Sequence, residues 1–428
     1  MGKIQSLIII ITAALLAVSC SRQTMSVEEL RVEHMENPSV VDATHPRLSW
    51  INIPKSQKAR GIKQTAYRIV VASSMGNLKQ GIYDLWDSGK QLSEESDLIP
   101  YQGKTLPSAQ DCYWKVQTWD QDGKPTAWSK PSYWGMGLMN EDEWQAQWTA
   151  PLLGGPGAPL LRKHFDSKGQ IKQAKVFVCG LGYFELYVNG ERIGDDYLVP
   201  NMTDYTKRFD LEKGPIAISG NMSRHRVMYL AYDITKQIQE GRNTLGVILG
   251  NGFYDAVNLN IPCSKFGDEC LRLQLQLTYA DGTTQTLISD NTWETKPSAI
   301  TLNGVHAGEI YNANLETPLW ATTEDNSQGW QRVKCIEGPT GMMTAHTAPT
   351  DKIVETLKPI SLHQREDGAW VVDFGKEISG WLHLHDLKGE KGDTVKVDYI
   401  SESVQGNMRY VMNGSGSEEY APRFTWFA

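Results

Sequence analysis

The sequence has little with which to hold nucleic acid, span a membrane or build a helical domain. No dense run of Lys and Arg occurs in its 428 residues, and the formal net charge is −8. Phosphate backbones and anionic lipid surfaces need such a basic footprint, so nucleic acid is excluded as a partner. No segment strings together amphipathic helices with apolar residues every three or four positions. There are six cysteines, and none has the spacing of a zinc site. The apolar run at residues 7–16 is shorter than the roughly 20 residues of a membrane-spanning helix.

What the sequence does hold is alternation. Tyr183-Phe184-Glu185-Leu186-Tyr187-Val188 has a period of two and turns at Asn189-Gly190. Asn-Gly is the strongest short-range hairpin signal, because both turn residues reach positive φ at least cost. Leu271, Leu273, Leu275, Leu277 and Tyr279 alternate with Arg272, Gln274, Gln276 and Thr278, which predicts one buried and one wet face. Fourteen Trp and seventeen Tyr suit β-sandwich cores or stacking against the C–H faces of sugars.

The first twenty residues read as a targeting segment. Lys3 is followed by the short apolar run and by Ala17-Val18-Ser19-Cys20, the form of a bacterial lipoprotein signal in which Cys20 is acylated. An ordinary secretory peptide is the alternative. Either way the chain is expected in the bacterial cell envelope, with a lipid anchor to the membrane in the first case. Export permits disulfides. Cys263 and Cys270 are the only pair close enough in sequence to suggest one, while Cys112 and Cys179 read as small buried hydrophobes.

Three all-β modules are expected after the signal. Residues 27–138 carry short alternating strands, among them residues 113–119, and the Asp120-Gln121-Asp122-Gly123 turn, a spacing that suits a seven-stranded sandwich; residues 113–120, that turn and Trp128-Ser129 resemble the last hairpin of a fibronectin type III-like module. Residues 139–159 contain Gly154-Gly155-Pro156-Gly157 and read as a linker. Residues 160–345 are expected to form an antiparallel jelly-roll, which the family resemblance given below makes one of the carbohydrate-binding kind. Residues 346–428 form a third sandwich carrying Trp370-Val371-Val372-Asp373 and Ser379-Gly380-Trp381. It ends on Arg423-Phe424-Thr425-Trp426 with no turn behind it, so an incomplete sheet edge is expected there.

In this order, Leu48-Ser49-Trp50, residues 84–89, Leu186-Tyr187-Val188-Asn189-Gly190, Thr203-Asp204-Tyr205, Tyr232-Asp233-Ile234-Thr235, residues 249–254, Asp373-Phe374-Gly375, Ser379-Gly380-Trp381 and Pro422-Arg423-Phe424 resemble the N-terminal, non-catalytic half of bacterial α-L-rhamnosidases, glycoside hydrolase family 78. The resemblance implies hydrolysis of terminal α-L-rhamnose by the family, with the acid and base in an (α/α)6 barrel that these residues do not contain. An inverting glycosidase needs two carboxyl groups about 6.5–9.5 Å apart, and no such pair can be nominated. This chain is therefore expected to bind a rhamnose-containing glycan or glycoside and to act as a scaffold.

The resemblance also implies a sugar site in the middle module. Asp204, Tyr205, Asn251, Phe253 and Tyr254 are its candidates, with Asp204 and Asn251 as oxygen ligands to calcium and the rings as walls. The family pattern has Asn after the Asp, where this chain has Tyr205. Asp204 and Asn251 also fit plain turn chemistry, and a purely structural module without sugar binding stays open. Gly180-Leu181-Gly182 leads into a strand and is not a dinucleotide loop. His383 and His385 share a strand face and lack a third ligand.

Overall fold

A computed structural model describes residues 24–152, 154–206, 225–255, 265–305, 307–324, 328–399 and 407–425. The signal segment, Cys20 and Cys263 lie outside them. The described residues are all-β, with one α-helix, Met75–Gln80. None of their helices is long and apolar enough to cross a membrane. The chain forms two compact units, Met1–Met136 and Gly137–Ala428.

The first unit holds a sheet of Met25–Val32, Arg47–Pro54 and Ile99–Pro100, and a second of Trp86–Asp87, Ala66–Ala72, Asp111–Trp119 and Ser132–Gly135. Period-two alternation decides the faces: Cys112, Trp114, Val116 and Thr118 are buried, and the residues between them are half-buried. Asp120 Oδ1 accepts from the N–H groups of Asp122 and Lys124 at 3.0 and 2.9 Å, closing the expected turn. The helix is capped by Ser74 Oγ, which accepts from Asn77 N–H at 3.1 Å.

The second unit stacks two sheets. One runs Lys334–Cys335, Thr149–Ala150, Cys270–Tyr279, Ile171–Leu181, Arg226–Asp233, Met342–Ala345, and the other Glu191–Ile193, Tyr183–Val188, Gly241–Gly250, Pro159–Ser167, Glu294–Pro297, Gln331–Arg332. Leu271, Leu273, Leu275 and Leu277 meet Leu186, Val188, Leu245, Val247 and Leu249 in one core. Asn189 and Gly190 take φ of 50° and 89°, joining Val188 to its partner Glu191 in a two-residue turn.

The structure departs from the sequence expectations in four places. The face of Cys270–Tyr279 expected to be wet is covered at Arg272 and Gln274. Gln274 is buried, exchanging hydrogen bonds with Gln145 N–H (2.8 Å) and Glu143 C=O (3.0 Å), while Arg272 lies over the Trp144 ring. That cover comes from residues 139–150 within the stretch read as a linker, because Trp144 and Trp148 gain burial there. Second, the sheet Ile300–Gly304, Gly308–Asn312, Asn407–Val411, Thr394–Asp398 joins strands from both sides of residue 345. Third, Cys270 carries a free, buried thiol. Fourth, Arg423-Phe424-Thr425 is not a strand. Its Arg423 and Phe424 N–H groups donate to the buried Glu309 carboxylate at 3.1–3.2 Å instead of to a neighbouring strand, and Phe424 packs on Gly250. Residues 426–428 lie outside the described residues.

Candidate functional site

A cleft of about 400 Å3 opens at one edge of the second unit, lined by Tyr183, Tyr197, Leu198, Phe253, Trp381 and polar groups of Asn201, Asp351, Lys352 and Ser379. Tyr183 starts its strand directly after Gly182, and Phe253 follows Gly250 across the ladder, where Tyr183 pairs with Gly250. Gly182 is required for this approach, since a Cβ there would stand 1.9 Å from Asn251 O.

The cleft wall is held from behind. Tyr197 N–H donates to Asp351 C=O at 2.9 Å, and its ring lies 5.2 Å from that of Trp381 at 54°. The Arg192 guanidinium sits 4.5 Å from the centroid of the Tyr197 ring and pairs with Glu185 at 3.1 Å. Lys352 hydrogen-bonds Asp195 and lies 3.7 Å from Asp196; that bond holds the Asp195 carboxyl below its ordinary value. The one lysine in the lining is thereby matched by acids. His346 accepts from Asn201 N–H through Nε2 (3.2 Å) and donates from Nδ1 to Ala348 C=O (2.8 Å). Burial pushes its pKa down, consistent with a neutral ring. Aromatic rings beside amide, hydroxyl and carboxylate groups, with the cation matched, suit a neutral polyhydroxylated ligand.

Of the residues nominated from the sequence, Phe253 lines this cleft. Tyr205 and Tyr254 are buried and meet edge-to-face at 5.1 Å, Phe266 lying 5.0 Å from Tyr205, and neither lines the cleft. Asn251 is fully buried; its N–H donates to Asn303 Oδ1 at 2.8 Å, and both polar atoms of its side chain are without a partner. Asp204 Oδ1 accepts from Arg226 N–H at 3.2 Å, and its Oδ2 is 2.9 Å from His225 Nδ1. Calcium takes six to eight oxygens. Among the described residues no group of three His, Cys, Asp or Glu side chains could hold a metal, and only Asn251 Oδ1 stands uncommitted of the two nominated ligands. The described donors fall short of that set. His383 and His385 are paired with Glu419 and Asp386 at 2.6 and 2.8 Å on exposed surface.

Tyr183, Tyr197, Asp351 and Trp381 were not nominated from the sequence. The signal for Trp381 was present in Ser379-Gly380-Trp381; for the others, adjacency arises only from the sheet topology.

Comparison with known proteins now adds three matches. Residues 27–140 match the Rha78A-like N-terminal immunoglobulin domain, residues 169–216 and 221–355 the α-L-rhamnosidase N-terminal domain, and residues 363–428 the bacterial α-L-rhamnosidase concanavalin-like domain. An α-L-rhamnosidase of Formosa agariphila is 29% identical over 96% of this chain and 47% of its own length. One of Streptomyces avermitilis is 23% identical over 92% of this chain and 54% of its own. The structure of α-L-rhamnosidase from Dictyoglumus thermophilum superposes with a TM-score of 0.79 at 32% identity, covering 94% of this chain and 46% of that one. The chain thus spans about half the length of the curated relatives it matches.

Proposed function

The chain belongs to the bacterial α-L-rhamnosidases, whose N-terminal β-domains it matches, and from that premise we propose that it binds rhamnose-containing glycans or glycosides and serves the hydrolysis of their terminal α-L-rhamnose. The binding place in this reading is the cleft of Tyr183, Tyr197, Phe253 and Trp381. The observation that carries it is the pairing of an aromatic wall with a lysine already matched by Asp195 and Asp196. Rhamnose is uncharged and bears a methyl group in place of a hydroxymethyl, so apolar rings and neutral hydrogen-bond partners fit both of its sides.

Support also comes from the Streptomyces avermitilis relative, whose structure was determined complexed with L-rhamnose. In this reading Asp204, Tyr205, Asn251 and Tyr254 back the cleft without lining it.

Glu269 does not enter as a catalytic acid. Burial pushes its pKa to about 8, but it is nearly inaccessible and does not line the cleft, so it could not reach a glycosidic oxygen.

Isothermal titration of the purified chain with L-rhamnose, with and without chelator, tests the reading. Saturable heat at one site is expected. Heat that vanishes with chelator would assign calcium a part, and no heat under either condition removes the proposal. Export and acylation at Cys20 belong to the same reading, and the mass of the mature N-terminal peptide checks them.

A further inference from the structure

The chain that leaves the strand Met342–Ala345 runs along the cleft as an extended strap, with no strand of its own before Ser361–Gln364. It contributes Asp351 and Lys352 to the lining, and Asn201 comes from the segment after Glu191–Ile193. Few bonds fasten the strap: Tyr197 N–H donates to Asp351 C=O at 2.9 Å, Thr350 Oγ1 to Asp196 and Lys352 to Asp195. Beyond them Val354 is 95% exposed.

His346 stands at the root of the strap. Its backbone N–H donates to Tyr229 C=O at 2.9 Å, and its ring is buried. The ring joins the two lining segments, Nε2 accepting from Asn201 N–H (3.2 Å) and Nδ1 donating to Ala348 C=O (2.8 Å). A backbone N–H only donates and a C=O only accepts, so the seated ring has room for one proton. A second proton, on Nε2, would oppose the Asn201 donor and place a charge in a buried site. The groups around the ring do not reverse this. Asp196 and Asp351 favour the proton, but burial outweighs them. Asp196 is shared with Thr350 and with Lys352 at 3.7 Å, and Asp195 is held by Lys352. On the strand Arg226–Asp233, Tyr229 Oη accepts from Leu138 N–H at 3.0 Å and Tyr232 Oη donates to Asp196 at 2.9 Å.

We propose that His346 is a pH-operated latch on the cleft: protonated in mildly acidic surroundings, its ring leaves Asn201, the strap at residues 346–352 detaches, and bound sugar is released. The latch deepens the sugar reading and depends on it only for the identity of the ligand. An exposed imidazole takes up its proton near pH 6.5, whereas the seated ring resists to lower pH. The detached state therefore gains on the seated one as pH falls below about 6.5, by up to about tenfold per unit, until the pKa of the seated ring is passed.

Titration of L-rhamnose into the full chain at about pH 7.5 and about pH 5 tests it, together with hydrogen-exchange protection factors of the Tyr197 and Asn201 amides at both values. At the lower pH the wild type is expected to lose about fivefold or more in affinity, and the two amides about tenfold in protection. His346→Gln, whose side-chain oxygen still accepts from Asn201 N–H but takes no proton, should keep both. Unchanged protection along Cys270–Tyr279 shows that the sheet stays intact. In the wild type the His346 ring proton should titrate at the midpoint of the protection loss, a reading that needs no variant. A ring that titrates without that loss, an acid loss as large in His346→Gln as in wild type, or a wild type that loses nothing would each overturn the latch. If L-rhamnose gives no heat at the higher pH, the sugar reading fails and the two amides decide alone: protection lost in wild type and kept in His346→Gln upholds the latch, and any other pattern overturns it.

Discussion

Arg423 Nη1 donates to Glu185 Oε2 at 2.8 Å across 238 positions of chain, tying the last described segment to the strand Tyr183–Val188. Arg423 also donates to Tyr187 Oη at 2.7 Å, and Arg192 reaches the other Glu185 oxygen at 3.1 Å. Burial pushes the Glu185 carboxyl up, and Arg423 and Arg192 more than reverse this, holding it below its ordinary value. The same Arg192 backs Tyr197 in the cleft, so the anchor and the candidate sugar site share a residue.

Arg423→Ala is predicted to destabilise the second unit by about 2–4 kcal/mol, because removing one partner leaves a buried carboxylate short of charge. The loss is smaller than for an isolated pair, since Arg192 remains. Glu185→Leu combined with Arg423→Met should recover part of it. Urea midpoints at fixed m-value measure both, and an Arg423→Ala midpoint equal to wild type would contradict the anchor.

Glu269 predicts a pH dependence of the opposite sign to the usual carboxylate. Burial, with Asp255 and Asp268 adding to it, raises its pKa from 4.5 to about 8, and Oε1 has no partner. Between those values the folded chain binds a proton that the unfolded chain does not, so its contribution to stability is fully present below about pH 4.5 and is lost as pH rises through about 8. The slope from this group is at most about 1.4 kcal/mol per pH unit. Glu269→Gln should flatten that part of the profile, and an unchanged slope in the variant would assign it elsewhere.

Gly182→Ala should cost about 3 kcal/mol or more and weaken ligand binding together with stability. The added Cβ would stand 1.9 Å from Asn251 O and 2.5 Å from its carbonyl carbon, and backbone cannot move aside as a flexible side chain does. Thermal unfolding checks the first effect. Gly123→Ala, at an open turn with nothing near, is the comparison: no Cβ clash arises there, and its φ of +70° leaves only the backbone cost of a left-handed non-glycine residue, about 1–2 kcal/mol.

Phe253→Ala and Trp381→Ala are each expected to weaken L-rhamnose binding about tenfold by removing a stacking wall, with little effect on unfolding of the first unit. Tyr254→Phe should leave affinity within about twofold, because that ring is buried against Tyr205. Titration of the three variants separates wall from support.

The sheets were legible because their signals are local. Alternation over Cys270–Tyr279 and the Asn189-Gly190 turn report directly on faces and reversals. The cover over Gln274 was not, because a segment rich in Gly and Pro further on masks the burial of Trp144 and Trp148. The cleft was legible only at Phe253. Tyr183, Tyr197 and Trp381 belong to distant stretches of sequence that the topology brings together, and period-two patterns carry no information on which strand ends converge. Gly-Asn-Gly at residues 250–252 reads as an open loop, yet Asn251 is fully buried because Gly182 lets a second backbone close over it.

The central claim, that the cleft of Tyr183, Tyr197, Phe253 and Trp381 takes rhamnose, is tested most directly by proton NMR of L-rhamnose titrated with the purified chain. The account predicts saturable saturation transfer to the sugar, strongest at the C6 methyl and ring C–H protons that would lie on the aromatic wall, and its loss in Trp381→Ala. Absence of transfer, or transfer that Trp381→Ala and Phe253→Ala leave untouched, would contradict it.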